Sequence, residues 1–261
     1  MAIELFAHNQ KAYESALQML EDEHKTAVIH PTGTGKSFIG FQFVDEHPDW
    51  KICWISPSDY IFQTQLENVS KVKKDISFAN LYFLTYAKLM NMSLEELDAL
   101  QPDLIILDEF HRAGAAEWSK GVNRLIELYP EAMLLGLSAT HIRYLDNQRD
   151  MADELFDGHI ASQMTLGEAI VRGILKAPKY VISLYAYEQS FSRIESRVRN
   201  MRKGRQKEQA QLILERLKRA LERSQGLDEI FRQYMEKRSG RYIVFCSGHA
   251  HMQEMISQSA D

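Results

Sequence analysis

The chain has 261 residues, 45% hydrophobic and 26% charged, with a formal net charge of −5, the composition of an ordinary soluble globular protein with length for one large or two modest domains. Its longest apolar runs, such as LIIL at 104 to 107, are too short to span a bilayer, and MAIELFAHNQ lacks the basic start and apolar core of a signal peptide, so no membrane is expected and the cytoplasm is the expected compartment. Charge is uneven: residues 190 to 238 hold 14 Lys and Arg against 7 Asp and Glu, a local excess of seven that leaves −12 on the rest, and such an arm suits a polyanion or a solvated helix face.

In chain order, NQKAYESALQMLED (9 to 22) places Ala12, Leu17 and Leu20 at helical intervals and predicts a first helix. TAVIHP (26 to 31) reads as a short buried strand, followed by a glycine turn and a helix through Val44. KICWISP (51 to 57) is a second strand that Pro57 ends, with a helix from about Tyr60 to Val72 behind it. Cys53 lies in that strand and Cys246 in a later one; neither has metal-ligand spacing, so two buried thiols are expected.

FANLYFLTY (78 to 86) predicts a third strand, and MSLEELDAL (92 to 100) a helix with Ser93 as its N-cap and Glu96 closing a capping box. DLIILDE (103 to 109) is a continuous apolar strand ending in two carboxylates, and AMLLGLSAT (132 to 140) is another. Uniformly apolar strands that alternate with helices predict a mostly parallel, doubly wound α/β sheet covered on both faces. In that class ligands sit at the carboxyl ends of the strands, where the glycine turn, the carboxylate pair and SAT all fall. After Ala177 the texture changes. KYVISLYAY (179 to 187) reads as a strand and residues 188 to 238 as a charged helical excursion, in which Leu217 and Leu221 suggest one buried stripe. RYIVFCSGHAHMQEM (241 to 255) starts a new strand, turn and helix.

The glycine turn carries the first chemistry. Backbone N–H groups of Thr32, Gly33, Thr34 and Gly35, opening into a helix, concentrate positive potential on a phosphate. Gly33 and Gly35 permit positive φ and close approach, Lys36 can reach the β and γ phosphates, and the Ser37 hydroxyl can ligate Mg²⁺. The full P-loop pattern wants glycine six residues before the lysine, and this sequence has His30, so the match is to the G-x-G-K-S core. About seventy residues on, Asp108 is placed to hold Mg²⁺ through water and Glu109 to polarise an attacking water. Such a pair alone is as easily a helix cap; behind a phosphate cradle the catalytic reading is the stronger.

These stretches together resemble superfamily-two helicases and translocases of the DExH type (the DEAD/DEAH-box family), and within them the branch similar to restriction-enzyme motor subunits. PTGTGKS (31 to 37) is similar to motif I, DEFH (108 to 111) to motif II and SAT (138 to 140) to motif III. HNQKAY (8 to 13) resembles the upstream Q motif, which makes Gln10 the adenine reader by resemblance. ISPSDYIFQTQ (55 to 65) resembles motif Ia and LTYAKL (84 to 89) the next element, which implies contacts of Ser56 and Thr85 with a nucleic-acid strand. The resemblance further implies that His111, Ser138 and Thr140 couple the nucleotide to movement. ATHIR departs from the AT-P-x-R of many relatives by having His141, while Arg143 keeps its place.

The resemblance implies an ATP- and Mg²⁺-dependent helicase or translocase core acting on nucleic acid, DNA favoured over RNA. Residues 1–177 would form a first RecA-like ATP-binding lobe and 178–261 the beginning of a second, truncated within it, since no QxxGRxxR-like stretch of motifs V and VI occurs. Weak turnover by this chain alone is the expectation. The basic arm offers Arg199, Arg202 and Lys203 as phosphate contacts. A nuclease or methyltransferase partner is not excluded, and the alternative is a nucleotide- or nucleic-acid-binding module without significant turnover.

Overall fold

The computed structural model describes residues 3–143, 148–178, 188–202, 204–222 and isolated positions between 245 and 256. The chain divides into two compact units, Met1–Ala177 and Pro178–Asp261.

The first unit is built on a six-stranded sheet. Its strands are β1 (Lys25–Ile29), β2 (Ile52–Ser56), β3 (Leu81–Thr85), β4 (Leu104–Asp108), β5 (Met133–Ser138) and β8 (Ile160–Gln163). Their order is β3-β2-β4-β5-β1-β8, and every pairing in this sheet is parallel. A two-stranded antiparallel ribbon, β6 (Ile142–Arg143) and β7 (Arg149–Asp150), follows β5.

Successive side chains on a strand point to opposite faces, and here both faces are apolar. Ile52 and Trp54, like Leu104 and Ile106, pack with α1 (Ala7–Glu23), α2 (Lys36–Glu46) and α3 (Asp59–Val72). Cys53 and Ile55, like Ile105 and Leu107, pack on the other side with α4 (Tyr86–Asn91), α5 (Leu94–Asp98), α6 (Ala116–Leu128) and α7 (Met151–Phe156). The doubly wound α/β class is therefore the observed one. Burial pushes the Cys53 thiol up to about 12, so it is an inert core group. Cys246 is half-buried, which departs from the expectation of two buried thiols.

Local differences have local causes. Tyr86 leaves the third strand because the Thr85 hydroxyl accepts from Lys88 N at 3.1 Å and starts α4 there. The Ser93–Glu96 capping box forms as expected. After α8 (Leu166–Val171), the second unit contributes α9 (Glu188–Arg199) and α10 (Arg205–Glu222). Of the buried stripe expected on α10, Leu217 is exposed, as are Leu212 and Ile213. Leu212, Ile213 and Leu214 are consecutive, and about 100° per residue spreads them around the helix instead of along one face. Leu221, the expected strand at 179–187, the end of the excursion and most of 241–255 lie outside the residues whose side chains are described.

At the centre of β5, Gly136 makes room for the edge-to-face pair Phe110–Phe156, whose ring centroids are 5.0 Å apart. A Cβ at Gly136 would lie 2.4 Å from Phe156 Cζ and 2.8 Å from Phe110 Cδ1. Gly136→Ala is therefore expected to cost about 1 to 3 kcal/mol of overpacking, read as a lower urea midpoint; an unchanged midpoint would mean both rings can withdraw freely.

Candidate nucleotide-binding and coupling site

The glycine turn begins where β1 ends. His30 N donates to Ser138 O at 3.0 Å, extending the β1–β5 pairing by one step, and Pro31 then releases the chain. Gly33 and Gly35 take φ of 89° and 86°, left-handed values that side chains rarely adopt. The Thr34 hydroxyl donates to Pro31 O at 2.8 Å and folds the turn back on itself. Lys36 and Ser37 open α2 behind Gly35 as N-cap, with no side-chain cap bond, and Phe38 N donates to Gly35 O at 3.0 Å.

The first helix fastens this turn. Asn9 Nδ2 donates to Thr34 O at 2.9 Å and to Gly35 O at 3.2 Å, and His8 Nε2 donates to Thr34 O at 2.9 Å. Asn9 is 1% exposed, and a Cβ on Gly35 would come within 2.8 Å of its Nδ2, a second reason for glycine there. Gln10, expected from the sequence to meet the base, instead donates to Glu14 on the helix surface at 2.9 Å. Its neighbours Asn9 and His8, which the sequence reading passed over, make the loop contacts. His30, standing where a P-loop has glycine, is buried against Ser162 Oγ at 2.8 Å. Burial lowers its pKa to about 4, helped by the positive fields of His8, Lys36 and Arg172, so the ring is neutral at physiological pH.

Lys36 is buried, and its Nζ donates to Pro31 O at 3.3 Å. Burial lowers its pKa, and the charges of Glu109 and Asp108 oppose that shift. Asp108, the last residue of β4, is 4% exposed. Its Oδ2 accepts from Gln65 Nε2 at 3.0 Å and from Ser56 Oγ at 3.3 Å, while Oδ1 has no hydrogen-bond partner among the described residues. Burial raises its pKa to about 6, with Glu109 adding to the shift and Gln65, Lys36 and Ser56 working against it.

Glu109 follows at φ 52°, a left-handed turn that swings its side chain off the strand axis. Its Oε2 lies 3.3 Å from His111 Nδ1 and 3.4 Å from Ser138 Oγ. His111 Nδ1 is 2.8 Å from Ser138 Oγ, which in turn donates to Thr140 O at 2.7 Å. One hydroxyl thus joins the carboxylate, the histidine and the chain leaving β5. Burial lowers the His111 pKa despite the nearby Glu109 carboxylate. A neutral ring donating through Nδ1 to Ser138 suits this geometry, since the serine proton is committed to Thr140. Beyond it, His141 Nε2 lies 3.6 Å from Asp150 Oδ2, and Arg143 Nη1 donates to His111 O at 3.4 Å.

The expected polymer contacts divide. Ser56, expected to meet a strand, is fully buried with its hydroxyl donating to Asp108 Oδ2. Thr85 is half-buried beside it in register, and its hydroxyl, occupied as an acceptor by Lys88 N, keeps its proton for donation. In the second unit Arg199 and Arg202 are exposed; Lys203 lies outside the described residues.

ATP and Mg²⁺ fit this donor set. A buried ammonium whose partner is one carbonyl at 3.3 Å is short of acceptors, and the turn beside it presents N–H groups. Ser37 and Asp108 are hard oxygen donors of the kind Mg²⁺ takes along with water and phosphate oxygens. An open cleft of about 420 Å³ adjoins the turn, lined by Pro31, Thr32, Thr140, His141 and Gln163 among others.

The family model described as Type III restriction enzyme, res subunit, matches residues 2–143, more than half of the chain. No curated protein matches. Among solved structures, a nuclease-deletion mutant of the Type ISP restriction-modification enzyme LlaGI, in complex with a DNA substrate mimic, is similar at 19% identity and TM-score 0.50, over 66% of this chain and 18% of that one. The ATP-dependent Type ISP restriction-modification enzyme LlaBIII bound to DNA is similar at 18% identity and TM-score 0.49, over 70% and 16%. The Hef helicase domain of Pyrococcus furiosus is similar at 16% identity and TM-score 0.48, over 74% of this chain and 45% of that one. The chain therefore spans less than half the length of each, and the LlaGI likeness bears on the fold alone.

The buried carboxylate generates a prediction about stability. An unfolded Asp108 loses its proton near 3.8 and the folded one near 6. Between those values the folded state holds the extra proton, so stability falls as pH rises, and the penalty is complete above 6. At about 1.4 kcal/mol per pK unit the penalty is about 3 kcal/mol. Asp108→Asn is expected to raise the urea midpoint at pH 7.5 and to lose that advantage by pH 4; an equal effect at both values would show that charge burial is not its source.

Proposed function

The chain belongs to the family of type III restriction enzyme res subunits, and from that premise we propose that it is an ATP- and Mg²⁺-dependent motor core that translocates along or remodels nucleic acid. Residues 1–177 act as the first RecA-like lobe, and 178–261 begin a second, with 188–238 as its basic helical excursion. A restriction enzyme works on DNA, which favours DNA over RNA as the polymer and a nuclease or methyltransferase as the partner.

The backbone of Thr32 to Gly35 wraps the phosphates, and Lys36 neutralises their developing charge. Bound Mg²⁺, held by Ser37 directly and by Asp108 through water, would supply Lewis-acid polarisation of the terminal phosphoryl group. Glu109 orients the attacking water and accepts its proton.

The observation that carries the motor reading is the shared Ser138 hydroxyl. It touches the carboxylate that handles the water, the histidine behind it and the carbonyl of Thr140, on the segment leaving the sheet. Loss of the terminal phosphate changes the charge facing Glu109. His111 and Ser138 can then exchange partners and pull on Thr140, so hydrolysis becomes a displacement. Thr85, Arg199, Arg202 and Lys203 are the proposed phosphate-contacting groups.

The test is ATP hydrolysis by the 261-residue chain, alone and with single- and double-stranded DNA and RNA. Hydrolysis should rise with polymer, DNA above RNA, and vanish in Lys36→Ala. Glu109→Gln should keep nucleotide binding and lose about 10² to 10⁴ in rate, the usual worth of a general base. Nucleotide binding with hydrolysis no higher than that of Lys36→Ala under every polymer would instead favour the binding-module reading.

A further inference from the structure

Asp108 is held from three places outside its own strand. Gln65 in α3 and Ser56 at the end of β2 both donate to Oδ2, at 3.0 and 3.3 Å. The hydroxyl of Tyr86, fully buried at the start of α4, donates to the Asp108 carbonyl at 3.0 Å. Side chain and main chain are therefore held separately.

Gln65 has a feature that Ser56 lacks. Its Oε1 is buried without a partner among the described residues, a loss that ordinarily disfavours such a placement. Turning the carboxamide over would bring that oxygen against Oδ2, acceptor to acceptor. The observed orientation is thus the one that satisfies the carboxylate, and its bond is charge-assisted. Oδ2 is occupied twice, and Oδ1 is left as the oxygen that can meet a metal-bound water.

We propose that Gln65 is the positioning residue of the metal carboxylate: by occupying Oδ2 it presents Oδ1 of Asp108 towards Mg²⁺ and so sets the Mg²⁺ affinity of the nucleotide complex. This rests on the nucleotide-site reading given above. It also places control of the metal on α3, whose amino-terminal residues Asp59 and Tyr60 are exposed.

The experiment titrates Mg²⁺ against a fluorescent, non-hydrolysable ATP analogue, with the analogue in EDTA as the metal-free reference. Gln65→Met keeps length and bulk but removes the donor. It should raise the half-saturating Mg²⁺ concentration about tenfold or more, the usual size of the effect when a group supporting a metal ligand is lost, and leave metal-free binding within about twofold on the same reasoning. Gln65→His, whose Nε2–H ends at a similar reach, should recover most of the loss. Ser56→Ala removes the longer bond to the same oxygen and should shift the curve in the same direction by less; it carries the test if Gln65→Met fails to fold. A Mg²⁺ curve that coincides with that of the unaltered chain overturns the proposal. So does a parallel loss of metal-free binding, which would mark Gln65 as structural. If the unaltered chain binds the analogue with no Mg²⁺ dependence at all, the nucleotide-site reading itself fails.

Discussion

Burying a cation and a carboxylate at the rim of an otherwise apolar sheet is the constraint around which the first unit is arranged. Neither Lys36 nor Asp108 has the water it would keep at the surface, and an unpaired charge in such a place is costly. Lys36 is offset by the fields of Glu109 and Asp108 and by a carbonyl of its own turn. Asp108 is offset by Gln65 and Ser56, yet its raised pKa shows that the compensation is incomplete. A site left short of counter-charge in this way favours a ligand that brings phosphate and metal together.

Two kinds of clamp keep the charges placed. On one side of the turn, Asn9 and His8 take hold of the Thr34 and Gly35 carbonyls and fix the path of the loop. On the other, the β4 end is fixed by donors from β2, α3 and α4, all of which pack on the sheet. The left-handed backbone at Glu109 separates the two carboxylates, so that one is buried under donors and the other half-exposed beside His111 and Ser138. Adjacent residues thereby acquire different chemical surroundings.

Much of this was legible in the sequence, because strands buried on both faces must be apolar throughout and their ends then stand out. DLIILDE and AMLLGLSAT announce both the strand and the place where chemistry can begin. The coupling role of His111, Ser138 and Thr140 was implied by resemblance, and the three are joined by hydrogen bonds through the Ser138 hydroxyl. What stayed hidden was the identity of the supporting groups. Asn9 and Gln65 look like ordinary polar positions on amphipathic helices, and only the pairing of those helices with the sheet turns them inward. The Ser56 hydroxyl is hidden for a related reason: a strand end looks available in the sequence, and only the folded sheet sets it against the Asp108 carboxylate. The edge strand β8 was missed because IASQ has no apolar run, although the Asp157-Gly158 turn just before it marks where a new element can start.

The strand order has a consequence for how the chain must be made. β1 lies between β5 and β8, so Ile29 pairs with Ser138 and Gln163, residues more than a hundred positions later. During synthesis the phosphate turn and its α1 clamp leave the ribosome early, with both edges of β1 open. An apolar strand with unpaired edges is a hazard for association with other chains until its neighbours arrive. β2, β3 and β4 can pair with one another well before that. The half of the sheet that carries the glycine turn is thus the last to be sealed, and the nascent chain has to shelter VIHPTGTGKS until residues 133 to 163 have been made.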